Sequence, residues 1–289
     1  MKYLINTPFI TKKEKKYANE VLNSGWLSTN GKYTKQFESK FSKFLGIKNA
    51  IAVQSGTAAL HCALRSLGIK RNDKVVIPNY TCVSNLSATT QLGAIPIIVD
   101  VEKDTFGIDK NNLVKIFKKY KPKVLQLVHV YGFPAKDTIE IIKICKKYKV
   151  KIIEDSSESL GSEINKKKIG TFGDIGVFSI RSEKMIGVGE GGVIVSNNQN
   201  LFDKIKLIVS RHSPFRGNRD PYWKKYYCSG EGYNYLMPHL LGAIALAQIE
   251  KFKKVILPRK IKIGKLYEKI FNNNRYCFSQ KTIKNTKQV

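Results

Sequence analysis

Between about residues 50 and 200, short apolar runs alternate with stretches of helical period. "AIAVQ" gives way to "TAALHCALRSLGI", "KVVIP" to "TCVSNLSATTQLG", and "IPIIVDV" to "KNNLVKIFKKY". "VLQLVHV" then leads to "DTIEIIKICKKYK", and "VKIIED" closes the series at Asp155. Val- and Ile-rich runs without polar alternation suit strands buried on both faces, and parallel strands of that kind need a crossover helix between them. This alternation predicts an α/β protein with a mostly parallel, doubly wound sheet. Residues 169–197 break the rhythm. "IGTFGDIGVFSI" and "GGVIVSNN" are glycine-punctuated strands with no full helix between them, which predicts a local reversal or hairpin. Helical patterns return over 238–256 and again over 259–271, and the polar ending "SQKTIKNTKQV" predicts a loose tail.

With 289 residues and 42% hydrophobic content, the chain can bury one sizeable core and carry an appendage. No apolar run approaches the roughly 18 residues of a membrane span. The opening "MKYLINTPFITKKEKKYANEV" has no apolar signal core, and Thr11 with Glu14 reads instead as a helix-opening capping box. Cytoplasmic localisation, with no membrane partner, is the simplest expectation. Five scattered cysteines (62, 82, 145, 228, 277) without a C-x-x-C pair argue against a disulfide framework or a zinc site. Reduced, mostly buried thiols and no metal are expected. The net charge of +29 raises nucleic-acid binding as a rival, but the basic residues are spread along the chain and only eight of the 51 are arginine. "KKEKK", "KKYK" and "KKK" read as solvated helix faces and turns, so no nucleic-acid partner is expected.

In an open α/β sheet, ligands bind beyond the carboxyl ends of the strands. Four segments should meet there. In "VQSGTAALH" a strand ends at Ser55-Gly56-Thr57 and a helix starts at once, offering bare N–H groups and a positive helix end to an anion; the plain alternative for Ser55 is an N-cap. In "KIIEDSSESLGS", Asp155 ends an apolar strand, where a buried carboxylate calls for a cationic partner such as a protonated heterocyclic nitrogen; a helix cap is the competing reading. The third segment, "FSIRSEKMIGVGEGG", places Ser179 and Lys184 ahead of four glycines in six residues. The fourth, "GEGYNYLMPHLLGAIALAQIEK", is a tyrosine-rich approach to an apolar helix. A lysine for a Schiff base, an acid for a pyridine nitrogen and a small-residue phosphate turn together match the needs of pyridoxal 5'-phosphate (PLP).

The chain resembles the DegT/DnrJ/EryC1/StrS sugar aminotransferases, which have the aspartate-aminotransferase fold (PLP fold type I). The resemblance runs over about residues 4–252, through "GWLSTNGKYTKQFE", "SGTAALHCAL", "GAIPIIVDVEKDTFGID", "HVYGFPA", "EDSSESLGS", "GTFGDIGVFS", "GEGG" and "GYNY...GAIALAQIE". "GWLSTNGKY" and "YW...GYNY" are most similar to the GDP-perosamine branch. The resemblance implies that Lys184 is the Schiff-base lysine and proton carrier. It implies that Asp155 meets the pyridine nitrogen, that Glu158 lies against the ring near its 3-oxygen, and that Gly56, Thr57 and Ser179 hold the phosphate. Asn234 resembles a family asparagine that reaches the cofactor phosphate of the neighbouring subunit, which implies a homodimer with shared active sites. The cluster Tyr222, Trp223, Tyr226, Tyr227, Tyr233 and Tyr235 suits such an interface.

The implied reaction is PLP-dependent transfer of an amino group from L-glutamate to a nucleotide-linked 4-keto-6-deoxyhexose, with GDP-4-keto-6-deoxymannose the first substrate to try. The setting is amino-sugar synthesis for surface polysaccharide or glycans. A relative that dehydrates the sugar at C3 has histidine where Lys184 stands, so Lys184 favours transamination. The chain departs from the family in three ways. Cys82 stands where an aromatic residue usually stacks on the ring, with Tyr80 as a possible substitute, and Leu236 replaces an arginine. The chain also ends soon after the helix at 259–271, which divides it into a PLP-binding large domain with its N-terminal arm (1–252) and the start of a truncated C-terminal domain (253–289). That ending supports an alternative, a truncated non-catalytic relative or regulatory partner that keeps the fold, with or without bound PLP. Among the histidines, His61 is expected to pack in its helix and His212 and His239 to lie at a surface or interface. His129 is expected to be a satisfied structural residue or to line the substrate pocket.

Overall fold

The computed structural model describes residues 7–214, 224, 226–271, 276–277 and 279–289. Two helices lead in, α1 (Lys12–Ser24) and α2 (Lys32–Leu45), followed by β1 (Asn49–Val53), α3 (Gly56–Ser66), β2 (Lys74–Pro78), α4 (Val83–Thr90) and β3 (Ile95–Val99). The alternation continues through α5 (Leu113–Tyr120), β4 (Val124–Val128), α6 (Thr138–Lys147) and β5 (Lys151–Asp155). A short hairpin, β6 (Glu163–Ile164) and β7 (Lys167–Lys168), precedes β8 (Ile175–Ser179) and β9 (Gly192–Ser196). The chain then runs through α7 (Gln199–Val209), α8 (His239–Lys251), α9 (Leu257–Phe271) and β10 (Thr286–Lys287).

The main sheet has seven strands in the order β1-β9-β8-β5-β4-β2-β3. The pairs β8–β5, β5–β4, β4–β2 and β2–β3 are parallel, and β9 runs antiparallel to both β1 and β8. The α/β class and the reversal near residues 169–197 are therefore as expected. Every crossover helix returns the chain so that β1, β2, β4, β5 and β8 end on one side of the sheet. Central β4 and β9 are buried at every residue. The sheet is not covered everywhere, because β3 is an edge strand with Ile95 and Ile98 exposed at 41% and 50%. Pro96 sits there without conflict, since an edge strand can spare an N–H.

The core forms three clusters. Phe37, Phe41, Phe178 and Phe252 fill the layer between the sheet and α2 and α8. Ala59, Leu60, Cys62, Ala63 and Leu64 make α3 apolar around most of its girth, and it lies against β8, β9, α4 and α7. Leu113, Phe117, Ile141 and Cys145 pack α5 and α6 over β4 and β5. Each Leu, Ile or Phe among them, fully buried, contributes about 1.5–3 kcal/mol. The capping box is formed: Thr11 N–H donates to Glu14 Oε2 at 2.8 Å, and Lys13 N–H donates to Thr11 Oγ1 at 3.3 Å. Buried Glu14 also accepts from Gln248 Nε2 at 3.0 Å and pairs with Lys251, which docks α1 on α8. Burial alone would raise the Glu14 carboxyl, but the bonds from Lys251 and Thr11 outweigh it and hold it below its usual value.

Four details differ from the sequence reading. The helices expected at 238–256 and 259–271 are one continuous passage, joined by a π turn over Phe252–Ile256. Pro258 has no N–H to give to the preceding turn, and the widened turn lies just before it. The tail is tied down rather than loose: β10 pairs with β6, and Gln280 Nε2 donates to Thr105 O at 2.7 Å. His239 is buried, packed on Gly31, with Nδ1 2.9 Å from Trp26 O and Nε2 accepting from Tyr33 N–H at 3.4 Å. Of the cysteines, which are all free, only Cys62 and Cys145 are buried; Cys82, Cys228 and Cys277 are exposed.

Candidate active site

A cavity of about 520 Å³ opens at the carboxyl ends of the strands. Gly56, Thr57, Asp155, Glu158, Ser179 and Lys184 all line it. Three of the four segments singled out in the sequence thus meet in one place. The fourth contributes differently, because Asn234 does not line this cavity; its backbone bridges to Ser210 at the end of α7. Leu236, the departure from the family on that segment, pairs with Val53 at the end of β1.

The anion-binding end is built by α3 and β8. Ser55 is both cap and lining, with its Oγ accepting from Ala58 N–H at 3.0 Å while the chain beyond it starts α3. A methyl group on Gly56 would stand 3.0 Å from Ser179 Cβ, so only glycine lets the helix start lie this close to the end of β8. Gly192 is tighter still: a Cβ there would meet Ser55 O at 2.4 Å. Thr57 Oγ1 donates to Ser84 Oγ at 2.9 Å, which brings in a residue the sequence reading missed.

The acidic end is built by β5. Asp155 is 4% exposed, and the hydrogen bonds to its two oxygens come from neutral donors: Asn85 Nδ2 to Oδ2 at 3.0 Å and Ser157 N–H to Oδ1 at 3.1 Å. No helix follows Asp155, so the capping alternative falls away. Its neighbour Glu154 points to the opposite face and is completely buried. There it accepts from the N–H groups of Gly170 (2.6 Å), Phe172 (2.8 Å) and Gly173 (3.0 Å), and lies 3.1 Å from His129 Nε2. His129 Nδ1 accepts from Ala135 N–H at 2.9 Å, so the ring proton sits on Nε2 and is donated to Glu154. Burial would raise the Glu154 carboxyl; His129 and the backbone donors outweigh it and hold it below its usual value. His129 is the satisfied structural histidine, and it touches the cavity wall as well.

Lys184 stands on the connection between β8 and β9, and its Nζ is 2.9 Å from Glu158 Oε1. The second oxygen of Glu158 accepts from Tyr131 N–H at 3.0 Å. Tyr131 takes the left-handed conformation (φ 51°), which aims its N–H at Glu158. The Tyr131 ring stands at the cavity mouth with Tyr80, hydroxyl to hydroxyl at 3.3 Å, and this bond pushes the Tyr131 phenol up to about 12. Cys82 lines the cavity with Sγ 3.3 Å from Ser84 Oγ, and Tyr80 lines it too. Tyr131, Arg181, Glu183 and Glu190 are lining residues to which the sequence reading gave no role. Tyr131 was within reach as part of "HVYG"; nothing in the pattern marked the others.

The profile of the DegT/DnrJ/EryC1/StrS aminotransferase family matches residues 8–289. The chain belongs to this family. A GDP-perosamine synthase of Vibrio cholerae is 36% identical over 88% of the chain and 66% of its own length. One from Escherichia coli O157:H7 is 37% identical over 94% of the chain and 72% of its own length. Among solved structures, E. coli GDP-4-keto-6-deoxy-D-mannose-3-dehydratase with bound hydrated PLP superposes with a TM-score of 0.87 at 27% identity, covering 97% of this chain and 76% of that one. The chain thus spans about two thirds of the length of the first of these relatives. The family assignment agrees with the sheet, the glycine-lined helix start and the lysine connection described above.

Of the aromatic cluster, Tyr233 and Tyr235 stack at 5.1 Å and pack edge-on against buried His61, as expected for that histidine. Tyr226 and Tyr227 are exposed, and Tyr222 and Trp223 lie outside the described residues. Among the described residues, no helix is long and apolar enough to cross a membrane.

Proposed function

We propose that this chain holds PLP at the cavity and serves as the cofactor-binding part of a nucleotide-sugar aminotransferase. The observation that carries the reading is Lys184 Nζ ion-paired to Glu158 at 2.9 Å in the same cavity as Asp155, Gly56, Thr57 and Ser179. The residues present fit the cofactor. The space is of the size that suits such a ligand, a Cβ at 56 or 192 would push the start of α3 away from the end of β8, and among the described residues the carboxylate at the far end takes its hydrogen bonds from neutral donors. When bound, PLP supplies a carbonyl for a covalent link and a ring that spreads negative charge.

The chain's own residues do the rest. The start of α3, with Gly56, Thr57 and the Ser179 hydroxyl, faces the phosphate with N–H and O–H donors. Asp155 accepts from the protonated ring nitrogen and keeps that proton in place. Glu158, fixed by Tyr131 N–H, holds the Lys184 amine at the cavity, where Nζ can act as nucleophile and later as proton carrier. Asn234 reaches the phosphate of a partner subunit in a homodimer, which is consistent with its lying away from its own cavity. L-glutamate is the donor that the resemblance to the family implies, and the relatives' names support a GDP-linked 4-keto-6-deoxyhexose as acceptor, GDP-4-keto-6-deoxymannose first.

The test begins with PLP uptake. Borohydride reduction of the loaded chain should leave a pyridoxyl group on Lys184, read by peptide mass. Lys184→Ala should abolish it, and the same label found on another lysine would refute the assignment. Transfer of ¹⁵N from glutamate to the sugar nucleotide then separates an aminotransferase from a relative that binds PLP without turnover. Light scattering tests the dimer: a monomer that holds PLP tightly would remove the role given to Asn234.

A further inference from the structure

Behind Asp155, on the side away from the cavity, lies a closed set of neutral polar side chains. Asn85 on α4, Gln126 on β4 and Thr89 one turn beyond Asn85 are each completely buried. None of them lines the cavity. Asn85 Nδ2 uses its two hydrogens on Gln126 Oε1 (2.7 Å) and Asp155 Oδ2 (3.0 Å), while Asn85 Oδ1 accepts from Thr81 Oγ1 at 2.7 Å. Gln126 Nε2 donates to Thr89 Oγ1 at 2.8 Å and to Asn85 O at 3.3 Å, and Thr89 Oγ1 donates to Asn85 O at 2.9 Å.

The direction of every bond is determined. If Asn85 were turned over, its oxygen would face two acceptors, Gln126 Oε1 and Asp155 Oδ2. If Gln126 were turned over, its oxygen would face the Asn85 carbonyl. The network can therefore present only a donor to Asp155, never an acceptor. With Ser157 N–H on the other oxygen, Asp155 has one donor on each lobe and its remaining lone pairs for the cavity. The apolar pattern of β4 gives no reason for a glutamine in the middle of "VLQLV", where both faces are buried and a polar side chain is expensive unless it is bonded.

We propose that Asn85, held in orientation by Gln126, is a positioning residue for Asp155: its single donor fixes the carboxylate so that the remaining lone pairs are aimed at the ring nitrogen of PLP. This rests on the proposed binding of PLP at Asp155. Asn85 touches neither ligand nor cavity and acts only through the carboxylate. It is therefore coupled to Asp155 and not to Lys184 or to the phosphate end.

The experiment is a double-mutant cycle read by PLP affinity and by the pH at which the visible band of bound PLP changes. Asn85→Leu removes the donor at similar volume, and it is made in the natural chain and in Asp155→Ala. A hydrogen bond to a charged group is worth enough that Asn85→Leu should weaken PLP binding by about tenfold to a hundredfold and move the band's pH midpoint. In the Asp155→Ala background the same change should do almost nothing. Gln126→Met, which frees Asn85 to turn, should give a smaller effect of the same kind and covers the case in which Asn85→Leu fails to fold. Asn85→Gln should restore part of the affinity. Equal losses in both backgrounds, or an unmoved band in variants whose apo melting is lowered, would make the network a packing feature and overturn the inference. A natural chain that takes up no PLP would overturn the reading beneath it; one that binds normally while both variants bind equally well would overturn this inference alone.

Discussion

Replacing Glu154 by glutamine changes one atom and should destabilise the protein severely. Glu154 is completely buried, and each of its oxygens serves two donors: Oε1 faces Gly170 N–H and His129 Nε2, while Oε2 faces Phe172 N–H and Gly173 N–H. An amide can turn either end toward either pair, but in both orientations its NH2 group confronts two donors. Each buried donor stranded in this way costs about 1–3 kcal/mol, so the variant should lose about 2–6 kcal/mol. An unfolding entropy of about 2.1 cal/mol/K per residue, taken over 289 residues, converts this to a fall in Tm of about 3–10 °C. Urea unfolding gives the free energy and calorimetry the midpoint. The acid limb should change too. Because the folded carboxyl lies below its usual value, its stabilisation is present above the unfolded pKa and is lost as pH falls through the folded one. Glu154→Gln should lack that part of the acid sensitivity. A loss under about 1 kcal/mol with the acid limb unchanged would refute the account of the His129–Glu154 brace.

Burial pushes the Glu38 carboxyl from 4.5 up to about 7, against the opposing pull of Ala52 N–H and Lys35. The folded chain therefore holds the extra proton between those values, stability falls as pH rises through that window, and Glu38→Gln should flatten the fall in a pH series of urea melts. A thiol reagent should modify Cys82, Cys228 and Cys277 quickly in the native protein. Cys62 and Cys145, whose thiols burial pushes up to about 12, should react only on unfolding, and Cys82 should be shielded when PLP is added. Thr11→Ala removes the side-chain half of the first cap while its backbone N–H stays on Glu14, and should cost about 0.5–2 kcal/mol, read by chemical denaturation, with α1 fraying from α8 by hydrogen exchange.

The sheet was legible because its strands are short, apolar and separated by helices long enough to cross over, and no other arrangement buries "VLQLV" or "GVIVS" on two faces. Ser55-Gly56, Asp155 and Ser179 were legible for a related reason: each stands at a strand end, where the pattern changes within one or two residues, whereas Glu158 was legible only through the resemblance. What escaped was whatever depends on partners far apart in the chain. Gln126 looks like an interruption until Asn85, 41 positions earlier, is seen beside it. His239 looks like a surface residue until Gly31 is seen to leave room for its ring. The tail looked free because its pairing partner, the hairpin of β6 and β7, is too short to announce itself as an edge.

The reversed direction of β9 has a consequence for the lysine between it and β8. A parallel successor to β8 would require the connection to cross over to the opposite end of the sheet. The antiparallel one lets the connection begin and end beside the cavity, with Ser179 paired to Gly192 across its base. Ser182 N–H on Gly189 O and Val188 N–H on Ile180 O, both near 3 Å, close it further. The amine of Lys184 is thus a reagent on a short leash anchored at both ends in the main sheet. Its local concentration at the cavity is set by the span of one side chain rather than by the sweep of a loop. Lengthening that leash by a few flexible residues at Gly189 would leave every group of the site in place while diluting the amine that serves it.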